Sequence, residues 1–298
     1  MGMHDDQVEV TTETVAALVR EQFPQWSGKE IQLLKSSGTV NTIFRIGNDL
    51  SARFPLRLVD AAEKRVFLQR EAEASAELAQ VSPIPSPQPV ALGEPGAGYP
   101  MPWSVQTWLQ GTVAWDADPS GSHAFAQDLA DFIEALRKAD TRGRRFNGQG
   151  RGGVLGDHDA FMEKSFTESE GLLDVPRVRR MWGRFRELPR ESDDVMSHGD
   201  LIPGNVLVSG GRLSGVLDGG SFGPANPALD LVAAWHLLQE GPRDVLRQAL
   251  GCDDLEWERG KAWAFAQAMG LVWYYVESNP TMSRTGKQTL DRILESTQ

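Results

Sequence analysis

The segment Ser197-His198-Gly199-Asp200-Leu201-Ile202-Pro203-Gly204-Asn205 sets an aspartate five positions before an asparagine. It lies in a short loop between apolar strand-like runs. A second aspartate, Asp218, ends the next run, Gly215-Val216-Leu217. Phosphoryl transfer asks for this set. The protein must aim an acceptor hydroxyl at the γ-phosphorus and neutralise phosphate charge. One carboxylate orients the hydroxyl and takes its proton. One carboxamide and one carboxylate hold Mg²⁺ on the phosphates, because hard cations choose oxygen ligands. Asp200 suits the first role; Asn205 and Asp218 suit the second. A structural turn, with Asp200 and Asn205 bonding their own backbone, would use the same residue types. The company of His-Gly-Asp, Pro203 and a strand-terminal Asp218 argues for the kinase chemistry.

The surrounding elements predict an α+β chain. Val15, Leu18, Val19 and Phe23 form one stripe of a helix over residues 11–23, capped by Thr11 or Thr12. Three short strands follow at 31–34, 40–46 and 50–54, separated by Ser36-Ser37-Gly38 and Gly47-Asn48-Asp49. A helix is expected over 61–80, ended by Pro83 and Pro85, and two more strands at 89–92 and 103–109. Five strands and one inserted helix make a small lobe over residues 1–110. Residues 111–298 read as a larger, mainly helical lobe. Its helices are expected at 122–139, about 158–170, 176–187, 227–238, 242–250, 255–276 and 285–294, with a strand unit at 195–218.

The whole pattern resembles the aminoglycoside phosphotransferase family, a branch of the protein-kinase-like fold, and in particular its actinobacterial members. The resemblance runs through Gln22-Phe23-Pro24-Gln25-Trp26, Gly38 to Arg45, Gln69-Arg70-Glu71-Ala72, Gly93-Glu94-Pro95, His198 to Asn205, Asp230 to Trp235, and Tyr274 to Pro280. It implies a two-lobed fold with ATP or GTP in the cleft between the lobes. The loop carrying Ser37, Gly38, Thr39 and Asn41 would then cover the phosphates. Arg53 takes the place of the phosphate-neutralising lysine, with Glu71 as its expected partner. Gln106 and Trp108, with Thr107, become candidates to read the base. His198 and Asp230 are expected to organise the catalytic loop. Trp235, Glu240, Trp273, Tyr274 and Glu277, with His236 and Trp263, are candidates to line the acceptor site, since aromatics stack on sugars and carboxylates pair with ammonium groups.

Three departures from the family pattern stand out. Arginine replaces lysine at Arg53, and binds as a planar fork. An Asp-Phe-Gly-like turn reads Asp218-Gly219-Gly220, which removes an aromatic anchor and suggests a mobile turn. A Gly-Asp-Pro segment reads Ala225-Asn226-Pro227, without its carboxylate. These motivate a runner-up, a nucleotide-binding pseudokinase. The acceptor is also open. From Asp200 onward there are 12 acidic against 8 basic side chains, no dense acidic patch, and the family includes kinases for macrolides, amino alcohols and sugars.

Other chemistries fit less well. Gly148-x-Gly150-x-x-Gly153 matches a dinucleotide-binding expression, but no strand precedes it. The same Arg/Gly-rich stretch, residues 142–153, reads as an irregular loop rather than an RNA-binding segment. Gly219-x-Ser221-x-Gly223 matches a hydrolase elbow, but Pro224 and Pro227 crowd the required helix, and His236 is the only downstream histidine. The five histidines form no metal-binding pair. The 298 residues carry 30 basic and 41 acidic side chains, a net charge of −11, which argues against a nucleic-acid partner. Cys252 stands alone, so no intrachain disulfide forms. With no apolar run of membrane length, no signal-like start and Asp6 against a myristoylation pattern, a cytoplasmic monomer or homodimer is expected.

Overall fold

A computed structural model describes residues 8–34 and 40–296. The chain divides into two compact units. One runs to Gln80 and adds Pro85–Gln110 and Asp218–Gly220. The other comprises Val81–Ile84, Gly111–Leu217 and Ser221–Gln298.

The first unit opens with α1 (Thr12–Gln22), capped by the Thr11 hydroxyl, which accepts from Thr14 N at 3.3 Å. Its sheet contains β1 (Ile31–Leu33), β2 (Asn41–Ile46), β3 (Leu50–Pro55), β4 (Pro89–Gly93) and β5 (Trp103–Thr107), in the order β1-β2-β3-β5-β4. All neighbouring pairs are antiparallel. Gly47, at φ +60°, makes the tight β2–β3 turn. The inserted helix α2 is Ala61–Val81. Inward residues alternate along the strands. Phe44, Phe54, Trp103 and Val105 bury against Val15, Leu18 and Val19 of α1. Phe54 stacks on Trp103 at 4.8 Å between ring centres, and the buried Tyr99 hydroxyl donates to Pro55 O at 2.8 Å.

The second unit contains β6 (Thr112–Val113) and a short α3 (Ala114–Ala117), neither expected, then α4 (His123–Lys138). Ser122 caps α4 as expected, accepting from Phe125 N at 3.1 Å. Helices α5 (Asp159–Glu168) and α6 (Val175–Phe185) precede β7 (Val195–Ser197), β8 (Val206–Ser209), β9 (Arg212–Val216) and β10 (Gly223–Ala225). β6-β8-β9 form one small sheet, and β7 pairs with β10. The last helices are α7 (Val232–Leu237), α8 (Glu240–Leu250), α9 (Asp254–Tyr274) and α10 (Pro280–Glu295). α9 is buried nearly all round, so its sequence shows little amphipathic contrast. α10 lies along α9, where a Cβ at Gly286 would come within 2.8 Å of Ala268 O.

Two helix boundaries differ from expectation. Residues 227–231 are not helical. Asn226 Oδ1 accepts from Ala228 N, and Asp230 spends its carboxylate on the β7 loop. At the other end α10 starts at Pro280, five residues early. Pro280 fits the first helical position and Asn279 caps it, accepting from Met282 N. Among the described residues no helix is long and apolar enough to cross a membrane.

Candidate active site

In the C-terminal unit the chain leaves β7 into the His198-Gly199-Asp200 turn, with Gly199 at φ +83°. Buried Asp230 holds this turn. Its Oδ1 accepts from Ser197 Oγ and Gly199 N, and its Oδ2 from His198 N, all at 2.9 Å. His198 is fully buried. Its Nε2–H donates to Leu217 O at 2.9 Å, and its Nδ1 accepts from Asp200 N at 3.3 Å. Both residues therefore shape backbone, and neither ring nitrogen of His198 is left for proton transfer.

Asp200 carries a dense set of donors. Oδ1 accepts from Arg151 Nη2 at 2.6 Å and Gln267 Nε2 at 2.7 Å; Oδ2 accepts from Asn205 Nδ2 at 2.9 Å. Burial pushes the Asp200 carboxyl up, but Arg151, with help from Gln267, holds it below the usual aspartate value. Asn205 ends a 3₁₀ turn over Pro203–Asn205. Its amide nitrogen is committed to Asp200 O and Oδ2, so its Oδ1 has no hydrogen-bond partner among the described residues. Gly204 is required there: a Cβ would fall 2.5 Å from the Trp115 ring of α3.

Arg151 and Gln267 carry no motif signal. Arg151 sits in the glycine-rich loop that matched, and failed, the dinucleotide pattern. Flanking Gly150 and Gly152 have φ +70° and +111°. The loop is tied down by Asn226 N donating to Gly152 O at 3.0 Å and Arg259 Nη2 donating to Gly153 O at 2.9 Å.

In the N-terminal unit Arg53 of β3 reaches Asp218, Nη2 to Oδ1 at 2.9 Å. Glu71, its expected partner, is an electrostatic neighbour without a direct ion pair to Arg53. Burial pushes the Glu71 carboxyl up, and Arg53 only partly offsets this. The Arg53 guanidinium loses hydration by burial, yet Asp218 and Glu71 raise its pKa overall. Asp218 adopts φ +61°, a left-handed conformation rare outside glycine and tolerated by Asp and Asn. The two following glycines are not a loosening of the turn. A Cβ at Gly219 would meet Leu78 of α2 at 2.6 Å, and one at Gly220 would meet Glu71 at 3.0 Å. They let the turn sit directly on α2, where an aromatic side chain would have no room.

A cavity of about 230 Å³ in this unit is lined by Arg53, Glu71, Ser104 and Gln106. Trp108 packs under Arg45 and donates its backbone N–H to Asp49 O at 2.8 Å. Asn41 starts β2 opposite Pro55. Ser37, Gly38 and Thr39 lie outside the described residues. A larger cleft of about 560 Å³, around Gly111, Asp118, Ser122 and Gly210 in the other unit, holds none of the residues that the motifs single out.

A profile of the phosphotransferase enzyme family matches residues 30–263. The chain belongs to this family. The chain is 30% identical over 171 residues to the aminoglycoside 3'-phosphotransferase of Streptomyces fradiae, a match covering 52% of this chain and 59% of that protein. It thus spans little more than half the length of the curated relatives it matches. Among solved structures, the GDP complex of an aminoglycoside 2'-phosphotransferase superposes with a TM-score of 0.73 at 18% identity, covering 96% of this chain and 98% of that one. A macrolide 2'-phosphotransferase from Brachybacterium faecium superposes with a TM-score of 0.63 at 16% identity, covering 93% and 98%. The kinase-like α+β fold follows.

Several expected acceptor-lining residues of this phosphotransferase-family chain fall elsewhere. Trp235 is 2% exposed, with Arg243 and Lys261 over its ring, and belongs to the core, as does Trp263. His236 is buried too. Trp273 donates its indole N–H to Ser165 Oγ and is partly exposed. Tyr274, Glu277 and Glu240 are exposed. Ser221 donates its hydroxyl to His198 O at 2.7 Å and His236 bonds to Thr289 and Gln267, so no nucleophile–base pair supports the hydrolase alternative.

Two consequences are measurable. Burial lowers the His236 pKa to about 4. Its folded value lies below the unfolded value near 6.5, so the unfolded chain binds the extra proton first. Stability is expected to fall as pH drops from about 6.5 to about 4, by at most about 3 kcal/mol from this group. Urea unfolding of wild type and His236→Gln across this window should show a shallower slope in the variant. The second concerns Asn226. Among the described residues buried Arg259 donates only to neutral oxygens, those of Leu188, Pro189, Gly153 and Asn226, and burial lowers its pKa to about 10. Asn226→Asp gives this cation a counter-ion while keeping the bond from Ala228 N. A gain of about 1–2 kcal/mol is expected, read as a higher Tm; an unchanged or lower Tm contradicts it.

Proposed function

We propose that this chain is a Mg²⁺-dependent kinase that transfers the γ-phosphoryl group of ATP or GTP to a hydroxyl of a small molecule, with an aminoglycoside as the leading acceptor class. The observation that carries this reading is the Asp200–Asn205 pair. The Asn205 amide nitrogen bonds the carboxylate, and its carboxamide oxygen has no partner among the described residues. Asp218 supplies the second oxygen donor. It follows Leu217 in the chain, and Leu217 N–H donates to Asn205 O at 2.7 Å. One carboxamide and one carboxylate suit Mg²⁺, which keeps waters and phosphate oxygens in its remaining positions. Bound there, the ion would neutralise phosphate charge.

In this reading Asp200 accepts a hydrogen bond from the acceptor hydroxyl and aims its oxygen at the γ-phosphorus. The new bond joins that oxygen to phosphorus as the bridging β–γ oxygen departs with the nucleoside diphosphate. The hydroxyl proton passes to Asp200 and then to solvent. Arg53 adds positive charge for the phosphate tail while holding Asp218. Exposed Tyr274 and Glu277, near the end of α9, offer a ring and a carboxylate for a cationic sugar. The relatives named for aminoglycosides support this acceptor class, and the macrolide enzyme keeps a second class in view.

The test is a panel of kanamycin, gentamicin, streptomycin, erythromycin, choline and glucose, each with Mg²⁺ and ATP or GTP. Products are read by mass. The expected result is one acceptor gaining one phosphoryl group. Tight nucleotide binding without product for any acceptor would favour the pseudokinase and end the catalytic assignment.

A further inference from the structure

Resting on that reading, we infer that Arg151 is a positioning residue for the transfer: with Gln267 it closes Asp200 Oδ1 and leaves Oδ2 as the oxygen that meets the acceptor hydroxyl. A carboxylate offers about two lone-pair directions on each oxygen. Both on Oδ1 are filled, by Arg151 Nη2 and Gln267 Nε2. Among the described residues only Asn205 donates to Oδ2, which leaves one direction there. The side chain is thereby fixed with its working oxygen defined before any substrate arrives.

Each clamp is itself held from behind. Arg151 Nη2 also donates to Gly199 O at 3.2 Å, tying the catalytic side chain to the turn that carries it. The loop bearing Arg151 is anchored through Gly152 O and Gly153 O. A Cβ at Gly152 would fall 2.8 Å from Ala225, so the loop approaches β10 as closely as glycine allows. Gln267 Oε1 accepts from His236 Nε2 at 3.1 Å, which points its amide nitrogen at Asp200. His236 Nδ1 lies 2.9 Å from the hydroxyl oxygen of Thr289, which itself donates to Thr285 O. A surface arginine merely neutralising a carboxylate would need none of this support.

The test compares wild type, Arg151→Ala, Arg151→Lys, Asp200→Asn and Arg151→Ala/Asp200→Asn, with kanamycin, gentamicin and erythromycin as acceptors. Arg151→Ala is expected to lower kcat about 10²-fold with nucleotide KM nearly unchanged, since the loss is one of aim rather than of binding. Lysine, with a single ammonium in place of a fork, should recover part of the rate, and millimolar guanidinium should recover part of it in Arg151→Ala. In the Asp200→Asn background the Arg151 change should cost nothing further, because it acts through Asp200. An Arg151→Ala variant with normal or faster kcat overturns the inference. So does a loss that guanidinium does not relieve and that adds fully to Asp200→Asn. Wild type that phosphorylates none of the acceptors ends the kinase reading and this inference together, whereas active wild type with an indifferent Arg151 ends this inference alone.

Discussion

Asp200→Asn is expected to lower kcat for phosphoryl transfer by about 10²–10⁴-fold while leaving the fold intact. An amide cannot receive the hydroxyl proton. Its oxygen can keep the two donors now on Oδ1, Arg151 and Gln267. Its NH₂ would then face Asn205 Nδ2, donor against donor, where Oδ2 now accepts. Asn205 must turn, which should also raise the Mg²⁺ concentration needed for half-maximal rate. Steady-state kinetics against Mg²⁺, with thermal unfolding as control, measures both effects. A kcat within threefold of wild type contradicts the role given to Asp200.

Asp218→Asn should be nearly as damaging, about 10²-fold or more in kcat/KM, by a different route. The carboxylate charge is the stronger of the two oxygen donors for a hard cation. It is also the direct partner of Arg53. Asparagine tolerates the left-handed backbone at φ +61° as aspartate does, so the substitution isolates charge from conformation. Asp218→Ala would mix the two. The deficit of Asp218→Asn should shrink as Mg²⁺ is raised. An unchanged Mg²⁺ dependence would remove Asp218 from the metal site.

The turn that carries Asp200 and Asn205 was legible because its pattern is local. Asp200, Asn205 and the turn glycine lie within seven residues, between strands whose periodicity announces them. Helix caps such as Thr11 and Ser122 are local for the same reason. The clamp on Asp200 was not legible. Arg151 and Gln267 lie 49 and 67 residues away in sequence, and only the folded chain brings them to one carboxylate. Composition misled at Gly219-Gly220, where flexibility was the obvious inference and close packing on α2 is the fact. Trp235 misled because an aromatic on a helix reads alike whether it faces a ligand or the core. Asp218 was placed by its strand-end position, but its pairing with Arg53 in preference to Glu71 depends on a backbone turn that sequence does not encode legibly.

The most direct measurement is a crystal structure with Mg²⁺ and a nucleotide whose β–γ bridge resists transfer. The predicted result is a cation bound by Asn205 Oδ1 and an Asp218 carboxylate oxygen, with the phosphate tail at Arg53 and its terminal group facing Asp200 Oδ2. A nucleotide seated elsewhere, for example in the Gly111–Gly210 cleft, or a cation held by neither Asn205 nor Asp218, would contradict the assignment.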